Sequence, residues 1–89
     1  MNDYEKEQLG KISKLCSNIS AENIHKLDNL AAGFSYMREP RMIMMAQFER
    51  FNSLKTHRKK LEAWERVTDQ VERIHTIASS AIFCSKPKD

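Results

Sequence analysis

The groups in this chain best suited to chemistry are three histidines, His25, His57 and His75, and two cysteines, Cys16 and Cys84. Imidazole and thiolate are soft ligands for zinc and common partners in nucleophilic catalysis, but either role requires the groups to meet. A sequence can bring two of them together locally by i,i+4 placement on a helix or by a CxxC turn. None of these residues has such a spacing, and no GxSxG elbow or glycine-rich phosphate loop accompanies them. Glu5, Glu7, Glu62, Glu65, Asp69 and Glu72 fall on predicted polar helix faces, where a carboxylate stays hydrated and is not tuned for acid or base work. The expectation is therefore a chain that is not an enzyme, with no catalytic residues, no metal, no cofactor and no small-molecule substrate.

Binding is the other chemistry the residues could support. The net charge is +3, yet residues 38–61 carry more positive charge than the whole chain, with slightly acidic segments on both sides. Lys55, Arg58, Lys59 and Lys60, with Arg38 and Arg41 upstream, could neutralise phosphates and bind DNA or RNA by counterion release. Against this, the charges spread over more than half of a helix circumference, and no aromatic or Asn/Gln cluster adjoins them in sequence for base readout. The same charges serve equally as the solvated start of a helix. A second stretch, Met37, Met42, Ile43, Met44, Met45, Phe48 and Phe51, is flexible and polarisable, as in adaptable partner-binding grooves. In a larger protein it would read simply as core. An 89-residue chain has little interior in which to hide it.

The elements that position these residues are helical. Only two glycines and two prolines punctuate the chain, too few for the turns of an all-β domain. Asn2 or Asp3 can cap a first helix, with Glu5 completing a capping box. Leu9, Ile12, Leu15 and Ile19 form its apolar face, and Glu7 and Lys11 an i,i+4 pair. The helix should stop near Asn18. Ser20 is the expected cap of a second helix, with Glu22 in its first turn pairing with Lys26, and Ile24, Leu27, Ala31 and Phe34 on its buried stripe. The short link folds the two into a hairpin, and Pro40 ends this unit by disfavouring helical geometry at Glu39.

From Arg41 to about Phe83 no glycine or proline intervenes. Yet the stripe through Met44, Phe48 and Phe51 points roughly 160° away from the seam of Trp64, Val67, Val71, Ile74, Ala78 and Ala81. The mismatch predicts a break near Asn52 and Ser53, separating a short middle helix from a long C-terminal amphipathic one. That last helix repeats its pattern one heptad apart, Trp-Glu-Arg-Val at 64–67 and Val-Glu-Arg-Ile at 71–74, with Glu62–Arg66 and Asp69–Arg73 as i,i+4 pairs. Residues 85–89 are expected to be a disordered tail.

These patterns predict an all-α fold: one domain, residues 1–84, forming a bundle of about four helices, as a homodimer. The longest run free of charged residues, Ile74 to Ser85, is too short to span a bilayer. No secretory n-region, h-region or cleavage site opens the sequence, so a cytoplasmic location with free thiols is expected. The favoured function is a small regulatory or adaptor protein, of a size bacteria, phages and mobile elements often encode, that modulates a protein partner. Its interface residues are Met44, Met45, Phe48 and Phe51, with Trp64, Val67, Val71 and Ile74 as the structural seam. The alternatives are a nucleic-acid binder using Lys55, Arg58, Lys59 and Lys60, and a structural assembly subunit. The Met-rich apolar surplus is the reason for expecting self-association or a protein partner.

Overall fold

A computed structural model describes residues 2–84, and the tail expected at 85–89 lies outside the described residues. Among the described residues four α-helices, α1 (Asp3–Ser17), α2 (Ile24–Ala31), α3 (Arg38–Ser53) and α4 (His57–Cys84), run in chain order, with a 3-10 turn at Ser35–Met37 leading into α3. Each helix packs on its neighbours around a ring, α1 on α2, α2 on α3, α3 on α4 and α4 back on α1. The result is an up-down-up-down bundle, the arrangement that short links between amphipathic helices favour.

α1 begins as its sequence demands. The Glu5 N–H donates to Asn2 Oδ1 at 2.8 Å, and Asp3 and Glu5 occupy the first turn, where negative charge favours the helix dipole. Leu9 and Ile12 are fully buried, and Glu7 Oε1 lies 3.8 Å from Lys11 Nζ. α1 ends at Ser17, where the Asn18 N–H donates to the Leu15 carbonyl.

α2 starts later than the expected Ser20 cap. The Asn23 N–H donates to the Ser20 carbonyl and the Asn23 side chain to the Asn18 carbonyl, so residues 20–23 are committed to a turn that reverses the chain. Glu22 consequently lies in that turn and not in a helical first turn. From Ile24 onward the apolar stripe is as expected, with Ile24, Leu27, Ala31 and Phe34 all buried.

Pro40 also departs from expectation. It does not end the N-terminal unit but sits, buried, in the first turn of α3, with Glu39 helical before it. N–H groups of a first turn have no partner within the helix, so the missing N–H costs little there and proline's fixed φ suits the position. α3, the expected middle helix, accordingly spans 16 residues.

The break between α3 and α4 falls where the phase of the apolar pattern requires it. Ser53 Oγ donates to the Arg50 carbonyl at 2.8 Å, the Leu54 N–H donates to the same carbonyl, and Leu54 turns extended. Ser53 thus closes α3, while the Thr56 carbonyl accepts the Lys60 N–H at the start of α4. Folding back, α3 and α4 bring their two stripes face to face. Val67, Val71, Ile74 and Ala78 join Met37, Met44 and Phe48 and the apolar residues of α1 and α2 in one core. The expected Glu62–Arg66 and Asp69–Arg73 pairs do not form. Glu62 instead takes Arg58 at 3.9 Å, and Arg73 reaches across to Glu39 on α3 at 3.7 Å and to Gln70 at 3.0 Å. An arginine fork on an exposed face can choose among several acceptors, and a carboxylate on a neighbouring helix competes with one on its own.

Among the described residues no helix is long and apolar enough to cross a membrane.

Candidate interaction surface at the hairpin tip

Tight packing fixes where the expected interface residues go. Met44, Val67, Val71 and Ile74 are buried and Phe48 is only 5% exposed, so these five belong to the chain's own core and reach a partner only if the bundle opens. Met45, Phe51 and Trp64 are half-buried at its edge. The apolar surplus that suggested self-association is therefore largely absorbed within one chain.

Part of what remains outside lies at the α3–α4 tip, while Tyr4, Tyr36 and Met42 are exposed elsewhere. Phe51 and Trp64 pack with ring centroids 5.4 Å apart, Phe51 stacks on Phe48 at 6.0 Å, and the Phe48 edge meets His25 at 5.6 Å. Lys60 Nζ lies 4.8 Å from the centre of the Phe51 ring, a cation–π contact. Beside these rings runs a groove of about 450 Å³ lined by Ile19, Ala21, Phe51, Lys60, Leu61 and Trp64. Leu61, 51% exposed, is its uncovered wall. Of the four cations Lys55, Arg58, Lys59 and Lys60, only Lys60 lines the groove; the other three are exposed on the loop before α4 and on its first turn. Arg58 alone of them has a carboxylate partner among the described residues, and that pair is largely hydrated, so it leaves the positive potential mostly intact.

The bundle leaves this region open for a traceable reason. The seam of α4, continued backward with its 3-4 spacing, lands on Lys60 and His57, both polar, while the next apolar residue, Leu61, stands beside the seam. The turn at 18–23 supplies the facing wall, with Ile19, Ser20 and Ala21 lining the groove together with Phe51 and Trp64. In the sequence, the aromatic residues and the basic island looked like separate features. The hairpin brings one member of that island, Lys60, onto the Phe51 ring. Leu61 and Ala21 escaped the sequence reading, and Ile19 was read only as part of the apolar face of α1; the one available signal was the loss of apolar residues from the seam before Trp64.

The remaining reactive groups are not assembled. Cys16 is half-buried, and burial pushes its thiol up to about 11, so at neutral pH it is protonated and a poor nucleophile. Among the described residues no cluster of three His, Cys, Asp or Glu side chains could hold a metal ion. Asp28 and Arg41 form a half-buried pair at 3.1 Å that ties α2 to α3. A second cleft, about 520 Å³ between α1 and α2, is edged by Lys11, Lys14 and Lys26 around Leu15 and Leu30, but no aromatic ring lines it.

No protein-family model, curated protein or solved structure matches this chain.

Proposed function

We propose that this chain is a small non-enzymatic adaptor that captures a protein partner on the tip of its α3–α4 hairpin. The observation that carries this reading is the groove where Leu61 and the outer parts of Phe51 and Trp64 meet solvent, edged by Ser20, His57 and Lys60, on a chain that buries its large apolar seam. Apolar side chains rimmed by polar ones are the usual composition of an interface, and tryptophan and arginine are frequent energetic anchors there. Self-association is part of the same reading. At the opposite end of the bundle Tyr4, Tyr36 and Met42 are each at least half exposed and form a surface on which a second copy could pack.

A photo-crosslinking residue placed at position 61 in cells that make the protein tests the reading. A discrete adduct from position 61, absent from an exposed position such as Thr76 on the same helix, is the expected result; equal labelling from both would remove the tip from consideration. Lys60 on the Phe51 ring, within the exposed basic segment 55–60, favours one other reading, nucleic-acid binding. Solution mass measured by light scattering with a generic duplex separates the two: a complex that forms at low salt and dissociates at high salt would favour nucleic acid, and the same measurement without duplex reports the oligomeric state.

A further inference from the structure

We infer that the cleft between α1 and α2 binds a small amphipathic carboxylate of the fatty-acid kind, with its alkyl chain on Leu15 and Leu30 and its head group among Lys11, Lys14 and Lys26. The site is separate from the α3–α4 tip and goes beyond the adaptor reading, so it stands or falls by itself. It adds a bound ligand and no reaction.

The cleft follows from the phase of two helices. Lys11, Lys14, Leu15 and Asn18 stand at i, i+3, i+4 and i+7 along α1 and its C-terminal cap, and Asn23, Lys26 and Leu30 at i, i+3 and i+7 from the N-terminal cap of α2. These two faces line a space of about 520 Å³. Small-molecule sites commonly enclose about 300–1,000 Å³. Leu15 and Leu30 are half-buried, packed against the core and open to the cleft. The lining is mostly apolar although these are its only apolar side chains, so the methylene stems of the lysines contribute to the walls.

Charge selects the head group. Three cations and no carboxylate line the cleft. Lys11 has Glu7 at 3.8 Å, in a pair more than half exposed, so much of its charge stays available. Lys14 and Lys26 have no carboxylate partner among the described residues. The pair expected between Glu22 and Lys26 is absent, because Glu22 lies in the turn before α2 and not on the helix. Lys26 also occupies the first turn of α2, the positive pole, with no acidic residue beside it, so the helix itself gains nothing from this cation.

Size selects the body. An amphipathic helix docks through a row of apolar anchors spread over several turns, and two leucines do not provide that row. A single alkyl chain needs only the trough between them. A bare anion would meet the cations and leave both leucines wet.

The test titrates the full chain with octanoate, acetate and octyltrimethylammonium, following backbone amide shifts by NMR. Octanoate should saturate, with its shifts concentrated from Leu15 to Leu30. Acetate lacks the chain and should bind at least about tenfold more weakly, since each buried methylene is worth up to about fourfold. The ammonium probe has the same chain with the opposite charge and should also bind at least about tenfold more weakly. Lys14→Gln/Lys26→Gln should weaken octanoate by at least about fivefold, and Arg50→Gln/Arg66→Gln, which removes equal charge outside the cleft, by less than about twofold. All four positions are exposed, so circular dichroism should show both variants folded. Equal binding of octanoate and the ammonium probe, equal losses in the two variants, or shifts centred on Leu61 and Trp64 would each overturn the inference. So would lysine-dependent capture of the chain by phosphatidylglycerol vesicles without saturable octanoate binding, which would assign these lysines to a membrane surface.

Discussion

The first two turns of α4 and its middle belong to one uninterrupted helix but follow different rules. From Ala63 to Ala78 the apolar positions recur at three and four and are buried against α1 and α3. From His57 to Glu62 the seam positions are polar, the apolar Leu61 faces solvent, and cations occupy the pole where α1, by contrast, places Asn2, Asp3 and Glu5. The middle of α4 and the start of α1 are consistent at every level, from periodicity and capping to burial and charge. The start of α4 fails on charge and burial together. The difference teaches that the same helical grammar serves stability in one half of α4, while in the other it is relaxed where solvent, or a partner, takes the place of neighbouring helices.

Substitutions on the two halves should sharpen that contrast. Ile74→Asp places an unpaired charge in a site with no exposure, and should cost about 3–5 kcal/mol, enough to unfold much of the population; chemical denaturation followed by circular dichroism measures it. The same change at Leu61 should alter stability by no more than about 0.5 kcal/mol. A large loss at Leu61 would mean that the tip is core and the comparison is false.

A smaller effect probes the two helix starts. Asn2→Ala should destabilise by about 1 kcal/mol, since it removes the acceptor of the Glu5 N–H, whereas Lys59→Glu should leave stability level or raise it by about 0.3–1 kcal/mol. Opposite signs in thermal melts would bear out the different roles of these termini. Loss of stability in Lys59→Glu would assign the cations to the fold.

Between these two regions the Arg41–Asp28 bridge, about one quarter exposed, should cost roughly 1–2 kcal/mol when Arg41 becomes Ala, more than an exposed pair and less than a fully buried one. The smallest effect concerns pH. Burial raises the Cys16 thiol from 9.0 to about 11, so the folded protein binds this proton more tightly than the unfolded chain. The contribution is fully present below pH 9.0 and is lost as the pH climbs through about 11. The urea midpoint of the wild type should therefore fall more across that window than that of Cys16→Ala.

Residue types and spacing were enough to define the helical class, the Asn2 cap, the stripe of α2 and the seam of α4, because each depends on neighbours within a turn or two. They also located the break after Ser53, since two stripes out of phase cannot share one straight helix. Local rules misplaced the start of α2 and the role of Pro40. Asn23 spends its hydrogen bonds on a chain reversal, and a first helical turn tolerates proline as readily as a terminus does.

The candidate surface was legible only in pieces. Lys55, Arg58, Lys59 and Lys60 stand out as a charge cluster, and Phe51 and Trp64 as apolar residues, but the meeting of Lys60 with the Phe51 ring depends on how α3 folds back on α4. The sequence by itself determined that this chain would be helical, where its apolar faces lie and which segment is basic, all consequences of backbone periodicity and side-chain type. Only the tertiary structure decided which of those faces the chain covers with its own residues. It buried Met44, Phe48, Val67, Val71 and Ile74 and left Leu61 half exposed, because burial depends on which faces the folded helices turn toward one another, and Leu61 stands beside the seam of α4.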